Sequence, residues 1–185
     1  MKLYLVRHGK TQANIEFRYL GSTDQELAPA GRAELETKLT TMPQAQRVYV
    51  SPMRRARESA ELLFPQQIAK VIPGLEECAF GAFEMRTYED LKNDAAYRSW
   101  IESKGKSEIP QGESGMAFRQ RTVQAFKLIL AEMQADDIEV AAIVAHGGTI
   151  MTIMEAYTAD YEFFRYKIGN GEYLSLDIPR QKETE

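Results

Sequence analysis

The sequence predicts an α/β fold, a three-layer α/β/α sandwich with a mostly parallel central sheet. Short apolar runs typical of buried strands alternate with helical patterns along the chain. The most apolar run, residues 138–145, has the length of a strand buried on both faces. Hydrophobic residues make up 44% of the 185 residues and charged residues 27%, which is the balance of one globular domain.

In the first half of the chain, the continuous apolar run at residues 3–6 predicts a strand over 2–7. A polar segment follows, and then a helix over 29–38 that begins at a proline. Residues 47–50 form a second strand. Ser51 is the expected N-cap of the next helix, because a proline follows it in the first helical position. A weaker strand covers 68–72.

In the second half, a helix is predicted over 88–101 and a long helix over 114–133, whose apolar residues recur at helical spacing. The strand at 138–145 precedes two glycines and an apolar helix over 149–157. The alternating pattern at 173–178 predicts a last strand. These elements predict a single domain over 1–178, in which 76–112 forms a cap-like segment. A charged tail, 179–185, has no apolar anchor, and we expect it to fray.

Composition excludes several classes of protein. The single cysteine, Cys78, excludes a disulfide framework and a cysteine-rich zinc site. The net charge of −4, from 23 basic and 27 acidic residues, gives no electrostatic case for nucleic acid or acidic membranes. No apolar run approaches the roughly 20 residues of a membrane span, and the N-terminal apolar stretch is too short for a signal peptide. We expect a cytoplasmic protein with no nucleic acid or membrane partner; its oligomeric state is not readable from the sequence.

The only two histidines, His8 and His146, directly follow the two clearest strands. Each is followed by glycine and by a polar segment suited to start a helix, RHGKT (7–11) and AHGGT (145–149). Ligands bind at the carboxyl ends of strands in parallel sheets, so one pocket is expected to contain both. The alternative is that each is a hydrogen-bonded histidine at a strand end, but the shared context and the neighbouring Arg7 favour the pocket.

This arrangement suits phosphate chemistry. A neutral imidazole is a nucleophile at physiological pH, and a helix N-terminus with glycine beside it lets the backbone approach a phosphate. Arg7 adds a guanidinium fork that matches phosphate oxygens. Three more arginines follow the second strand in SPMRRAR (51–57). Adjacent helical residues diverge by about 100°, so two of these three are expected on a solvated face.

Metal ligation is the competing hypothesis for the histidines. Two histidines would bind zinc only together with carboxylates, and no HExxH spacing occurs. Arginines in the same pocket would also repel a divalent cation. We therefore expect no metal and no other cofactor.

Five motifs, in the family's order, resemble the histidine phosphatase superfamily, the phosphoglycerate mutase-like group. The resemblance covers residues 3 to about 178. It implies a phosphoglycerate mutase-like fold and a phosphomonoesterase that forms a phosphohistidine intermediate. The motifs are RHGKT (7–11) with Asn14, SPMRRARESA (51–60), LEECAFGAFE (75–84), GES (112–114) and AHGGT (145–149).

The resemblance implies a role for each matching residue. His8 is the nucleophile, and Arg7 and Arg55 bind the phosphate. His146 completes the pocket and stabilises the transferring phosphoryl group, and Asn14 is a neutral donor to it.

Two further residues complete the set that the resemblance implies. Gly147 is a phosphate-binding residue. Glu77 protonates the leaving oxygen and then activates water. The choice of Glu77 over Glu76 rests on the spacing to the phenylalanine and glycine at 80–81, and the alternative for Glu77 is a surface carboxylate.

Several positions depart from the family's pattern. Ala28 stands where threonine is common, so the helix that follows is expected to lack a cap. Phe83 replaces a common tryptophan, and Met85 stands where many members have glycine. None of these changes touches the implied catalytic set.

Within the superfamily, FGAFEMRTYEDL (80–91) resembles the α-ribazole phosphatases of the cobalamin pathway, chiefly through the run at 84–86. The implied substrate is α-ribazole 5′-phosphate, a nucleotide-like ester with a benzimidazole base, which would be hydrolysed to α-ribazole. Phe83, Tyr88, Tyr97 and Trp100 could stack on that base, or they could form the core beneath the cap-like segment.

Alternative functions remain at this point. A broad-specificity small-metabolite phosphatase or a phosphoglycerate mutase would use the same residues, but such mutases tend to be longer than 185 residues. HGGT (146–149) resembles an oxyanion-hole segment of a serine hydrolase, yet no GxSxG occurs. A non-catalytic phosphate-binding module is disfavoured because every expected catalytic residue type is present. The expected partner is a small-molecule phosphate ester.

Overall fold

A mixed five-stranded sheet forms the centre of the computed structural model, which describes residues 1–159 and 163–180. The strand order is β3-β2-β4-β1-β5, in which the first four strands are parallel and β5 runs antiparallel to β1. The mostly parallel sheet is thus confirmed. The strands are β1 (Lys2–Arg7), β2 (Arg47–Val50), β3 (Lys70–Val71), β4 (Val140–Ala145) and β5 (Tyr173–Asp177).

Seven α-helices lie within the described ranges. They are α1 (Gln12–Ile15), α2 (Pro29–Lys38), α3 (Arg54–Leu63), α4 (Tyr88–Leu91), α5 (Ala95–Glu102), α6 (Gly115–Ala135) and α7 (Gly147–Tyr157). Three short 3₁₀ turns cover Leu39–Thr41, Gly81–Phe83 and Phe163–Tyr166.

Strand β4 shows how the layers arise, because successive side chains of a strand point to opposite faces. Ile143 lies in a core cluster with Phe126 of α6 and Ile150 of α7. Its neighbour Val144 lies in a second cluster with Leu35 of α2 and residues of α3. Helices therefore cover both faces of the sheet, and the three-layer sandwich is confirmed.

Residues 76–112, called the cap segment below, contribute most of a third apolar cluster. Tyr19, which follows α1, packs against this cluster, and its hydroxyl lies 2.6 Å from that of Tyr97. Phe83 and Tyr97 are 0% and 3% exposed, so these two belong to the core beneath the cap and not to a ligand surface. Tyr88, in contrast, is 58% exposed. The buried members of the cluster are Cys78, Phe83, Leu91, Tyr97, Ile109 and Phe118.

Several helix boundaries differ from the sequence predictions, and side-chain caps explain two of the differences. The helix expected over 88–101 is two helices, since the Asp94 side chain accepts a hydrogen bond from the Tyr97 N–H and starts α5 anew. The short helix α1 was not predicted; Thr11 and Asn14 form its capping box. Helix α7 begins two residues before the expected 149. Ala28 makes no side-chain cap for α2, as expected.

The predicted tail, 179–185, is partly described. Arg180 forms ion pairs with Asp137 at 2.8 Å and with Glu139 at 2.7 Å, so the expected fraying does not apply to this residue. Residues 181–185 lie outside the described residues. The division into a domain over 1–178 and a tail stays a prediction.

In the part of the chain that the structure describes, no helix combines the length and the apolar character that a membrane span requires.

Helix α2 packs closely against the segment that follows β1, and Gly31 is the point of contact. A Cβ at this position would lie 2.1 Å from the Lys10 carbonyl oxygen. We expect Gly31→Ala to lower the free energy of unfolding by about 2 kcal/mol through overpacking. This loss is opposite in sign to the gain of roughly 0.5–1 kcal/mol that a glycine-to-alanine substitution gives in a helix without such a contact.

Urea unfolding of this variant beside Ala33→Gly, an exposed position of the same helix, separates the two effects. Ala33→Gly should lose about 1 kcal/mol by helix propensity alone. A Gly31→Ala protein as stable as the wild type would contradict the close contact.

Candidate active site

The two histidines leave the sheet side by side. Parallel strands β1 and β4 pair Arg7 with Ala145, so the next residue of each strand is a histidine. The His8 N–H donates to the Ala145 carbonyl at 3.0 Å. The His8 and His146 ring centroids lie 5.0 Å apart. The structure thus brings together the two residues that the sequence placed in one pocket.

Strand β2 lies on the other side of β4 and contributes Ser51. This residue was expected to cap α3, but α3 begins at Arg54 and Met53 is its N-cap. The Ser51 Oγ lies 2.7 Å from His146 Nε2 and accepts a bond from the Met53 N–H. Ser51 therefore fixes the plane of the His146 ring through Nε2 and leaves Nδ1 without a protein partner among the described residues.

The other ring, that of His8, is held in a defined tautomer. Its Nδ1 lies 2.7 Å from the Gly9 carbonyl oxygen. A carbonyl can only accept, so Nδ1 carries the hydrogen and Nε2 keeps its lone pair. Ser59 Oγ accepts the Gly9 N–H at 2.9 Å and donates to the Arg55 carbonyl at 2.6 Å, which ties this turn to α3. Nε2 is therefore the ring nitrogen of His8 that keeps a free lone pair.

Both imidazoles are neutral near pH 7. Burial lowers the pKa of His8 well below 6.5, and the positive charges of Arg55 and Arg7 lower it further. Burial likewise lowers the pKa of His146 well below 6.5, with Arg55 as the next contributor. A neutral imidazole is the nucleophilic form of histidine, so the surroundings favour the form of His8 that the expected role requires.

Arg55 is the one residue of the arginine cluster that enters the pocket, as the helical spacing predicted. It is 0% exposed, whereas Arg54 and Arg57 are exposed. Its Nη1 and Nη2 donate to the Thr23 and Gly21 carbonyls at 3.0 and 2.9 Å. Burial lowers the pKa of Arg55, but a guanidinium stays charged in proteins.

The loop that holds Arg55 is itself held by Glu84. One carboxylate oxygen, Oε1, accepts the N–H groups of Gly21 and Thr23 at 2.8 and 3.0 Å. The other, Oε2, accepts the Phe80 N–H at 3.2 Å. Glu84 therefore links the cap segment to the loop whose carbonyls orient Arg55. Sequence reasoning used Glu84 only for the resemblance at 84–86 and missed this role.

Arg7 lies at the end of β1, facing the start of α7. Its Nη1 donates to the Ile168 carbonyl at 2.7 Å. A Cβ at Gly147 would lie 3.6 Å from the Arg7 Cζ, which places the backbone of Gly147 beside the guanidinium. The pocket thus joins the N-terminus of α7 to Arg7, as the sequence predicted.

Asn14 is held in place through its side-chain oxygen. Its Oδ1 accepts three hydrogen bonds, from the Thr11 N–H at 3.1 Å, the Thr11 hydroxyl at 3.2 Å and Asn170 Nδ2 at 3.3 Å. Asn170 Nδ2 also donates to the His8 carbonyl at 3.0 Å. The segment GNGEYL (169–174) therefore holds His8 and Asn14 in place, a role that no sequence motif indicates.

Glu77, and not Glu76, faces the pocket. Glu77 Oε2 accepts the Gly148 N–H at 2.9 Å, and Oε1 accepts the Cys78 N–H at 3.0 Å. Glu76 instead accepts the Gly74 N–H within its own turn. A Cβ at Gly148 would lie 2.4 Å from Glu77 Oε1, so glycine permits the approach. The structure places the Glu77 carboxylate at the N-terminus of α7, beside Gly148, which is two residues after His146.

Three buried nitrogens in this pocket have no hydrogen-bond partner within residues 1–159 and 163–180: Arg7 Nε, Arg55 Nε and His146 Nδ1. Buried polar groups are nearly always paired, so three unpaired nitrogens in one cluster mark a candidate ligand site. A phosphoryl group fits the positive charge of the two guanidinium groups. No group of three or more His, Cys, Asp or Glu side chains in the described ranges could hold a metal ion.

An α/β sandwich with two neutral histidines and two largely buried arginines at one sheet edge is typical of enzymes that transfer phosphoryl groups. The chain belongs to the histidine phosphatase superfamily, branch 1, whose family model matches residues 3–184, and it is a phosphatase.

Three relatives within this superfamily match over nearly the whole chain, and all three are named as α-ribazole phosphatases. The chain is 30% identical to the adenosylcobalamin/α-ribazole phosphatase of Salmonella typhimurium, over 96% of this chain and 91% of that protein. It is 29% identical to the protein of the same name from Escherichia coli K12, over 100% and 93% of the two chains. The crystal structure of the α-ribazole phosphatase from Shigella flexneri matches with a TM-score of 0.82 and 30% identity, over 97% and 92%.

The contacts of Glu84 predict its effect on phosphate binding. Glu84→Gln removes the charge that two loop amides share, so the loop that orients Arg55 should loosen. We expect the inhibition constant of inorganic phosphate and the KM of a phosphate ester to rise about tenfold, equivalent to about 1.4 kcal/mol.

Steady-state kinetics with phosphate as the inhibitor measure this effect. The matched control is Glu89→Gln, an exposed position of the same cap segment that forms an ion pair with Lys92. A Glu84→Gln enzyme with a lower Tm but an unchanged phosphate inhibition constant would show that Glu84 acts on stability alone.

Proposed function

We propose that the protein hydrolyses a small phosphomonoester through a phosphohistidine formed on Nε2 of His8. The observation that carries this proposal is the set of three unpaired buried nitrogens, contributed by Arg7, Arg55 and His146, around a buried His8 whose pKa is lowered well below 6.5. The same set of groups binds a phosphoryl group and leaves the nucleophilic nitrogen uncharged.

In the first step, the His8 Nε2 lone pair attacks phosphorus and the ester P–O bond breaks. The departing oxygen takes a proton from the acid form of Glu77. Arg7, Arg55 and the His146 Nδ1–H donate to the non-bridging oxygens, where they stabilise the charge of the transferring group. We assign the Asn14 amide and the Gly147 N–H to the same oxygens.

In the second step, water attacks the phosphorus of the phosphohistidine and the P–N bond breaks. The Glu77 carboxylate takes the proton of that water, so Glu77 returns to its acid form. Inorganic phosphate leaves, and His8 regains its neutral ring with the hydrogen on Nδ1. One carboxyl group thus serves both steps, and the cycle needs no further proton donor.

We assign α-ribazole 5′-phosphate as the substrate. The support is the near-complete match to enzymes of that name, together with the Glu-Met-Arg run at 84–86. Of the four aromatic residues considered for the base, Tyr88 and Trp100 remain accessible, since Phe83 and Tyr97 are buried. The proposal also places the reaction in the cytoplasm, a choice supported by the free, buried thiol of Cys78.

A direct assay separates this substrate from the alternatives. We expect kcat/KM for α-ribazole 5′-phosphate to exceed the values for 3-phosphoglycerate and p-nitrophenyl phosphate by at least about 100-fold, roughly 2.7 kcal/mol of transition-state binding. Phosphate release in the presence of EDTA is the measurement, and His8→Ala should abolish it.

Other outcomes contradict particular parts of the proposal. Similar kcat/KM values for all three esters would indicate a broad-specificity phosphatase. Transfer of the phosphoryl group to a glycerate acceptor would indicate a mutase. A loss of activity in EDTA would indicate a metal, and a His8→Ala enzyme within a few-fold of wild type would exclude the phosphohistidine.

A further inference from the structure

We propose that Arg121 positions the Glu77 carboxyl group for proton transfer by fixing the backbone of residues 74–77. The inference rests on the proposed acid–base role of Glu77. Arg121 lies on α6 and is not assigned to the phosphate pocket. No sequence pattern indicates a role for Arg121 or for its partner Glu113, although Glu113 lies in the GES motif.

The Arg121 guanidinium uses each of its five N–H donors. Nη1 donates to the Gly74 and Glu76 carbonyls at 3.0 and 2.9 Å. Nη2 donates to the Glu77 carbonyl at 3.0 Å. The remaining donors form a bidentate pair with the Glu113 carboxylate, from Nε at 2.7 Å and from Nη2 at 2.8 Å.

A second contact holds the same segment from α7. The Thr149 hydroxyl donates to the Leu75 and Glu76 carbonyls at 3.3 and 3.1 Å. All four carbonyls of residues 74–77 are therefore bound by Arg121 or Thr149. The Glu77 carboxylate accepts the N–H of Gly148, the residue directly before Thr149. Backbone and side chain of Glu77 are thus both fixed relative to the helix that follows His146.

Residues 74–77 belong to no helix or strand, so the position of this segment depends on these side-chain contacts. A general acid must lie within hydrogen-bond reach of the atom that it protonates, and a displacement of about 1 Å is costly. Lysine cannot replace Arg121, because its three donors diverge from one nitrogen and it forms no bidentate pair.

Glu113 completes the arrangement by fixing the plane of the guanidinium. Its backbone N–H donates to the Ala79 carbonyl at 2.9 Å, so it is anchored two residues beyond Glu77. Its side chain is 17% exposed and that of Arg121 is 29% exposed, which shields the pair from water in part. The pair therefore holds Arg121 in the orientation that reaches three carbonyls.

Two roles of Arg121 can be separated by the leaving group of the ester. If Arg121 only stabilises the fold, its mutation lowers kcat/KM equally for all esters; if it positions Glu77, the loss depends on whether the leaving group needs a proton. A misplaced acid slows the departure of an alkoxide, which needs a proton, far more than the departure of p-nitrophenolate, which does not. Loss of general fold stability affects both esters equally. The ratio of kcat/KM for an alkyl phosphate to kcat/KM for p-nitrophenyl phosphate is therefore the informative quantity.

The experiment measures this ratio for Arg121→Gln, Arg121→Lys and the control Arg119→Gln. Arg119 is also on α6 and binds a carboxylate, Glu155, and backbone carbonyls, but none of residues 74–77. We expect both Arg121 variants to lose about 100-fold on the alkyl ester and at most about threefold on p-nitrophenyl phosphate. Arg119→Gln should leave the ratio unchanged.

Burst kinetics provide a second readout. The Arg121 variants should release one equivalent of p-nitrophenol rapidly and then turn over slowly, because Glu77 must also activate the water of the second step. Glu113→Gln keeps the carbonyl contacts of Arg121 and should show the same pattern with smaller changes. This variant tests the proposal even if the Arg121 variants fail to fold.

Equal losses on both esters would overturn the positioning role of Arg121. Glu77→Gln tests the underlying function separately: it should itself reduce the ratio, and the double variant with Arg121→Gln should lose no more than Glu77→Gln alone. If Glu77→Gln left the ratio unchanged, the proposed function of Glu77 would fail, whatever Arg121 does.

Discussion

The site depends on one electrostatic constraint, the burial of two guanidinium groups beside two imidazoles. Burial away from water and, next, the positive charge of the arginines lower the pKa values of His8 and His146, so neither ring gains a proton near pH 7. A buried guanidinium is tolerated only when acceptors surround it. Backbone carbonyls supply them, from Ile168 to Arg7 and from two loop residues to Arg55.

The order of the strands explains how groups distant in sequence meet. Strand β4 lies between β1 and β2, so the carboxyl ends of these strands place His146 between His8 and Ser51. The segment that leaves β3 then brings Glu77 to the start of α7. Each parallel strand contributes to the pocket at the same sheet edge, which is where an α/β fold places its ligand.

Some of this geometry could be predicted from the sequence. The apolar runs before His8 and His146 identify buried strands, and their parallel pairing then requires both rings at one edge. The roles of Glu84, Asn170 and Arg121 could not be predicted, because they act on backbone amides and carbonyls of remote loops whose positions no local pattern encodes. Ser51 was misassigned because a serine before a proline has the signature of a helix cap, whereas the tertiary contact with His146 decides its role.

The most direct test of the electrostatic constraint is an NMR titration of the two imidazole rings, whose ¹⁵N shifts report tautomer and charge. The chain contains only two histidines, and a His8→Asn sample assigns each signal. We expect both rings to stay neutral as the pH falls below about 6.5, with the hydrogen on Nδ1 in each. A His8 ring that gains its proton at or above about pH 6.5 would contradict the account, because burial and the neighbouring arginines would then not control its charge.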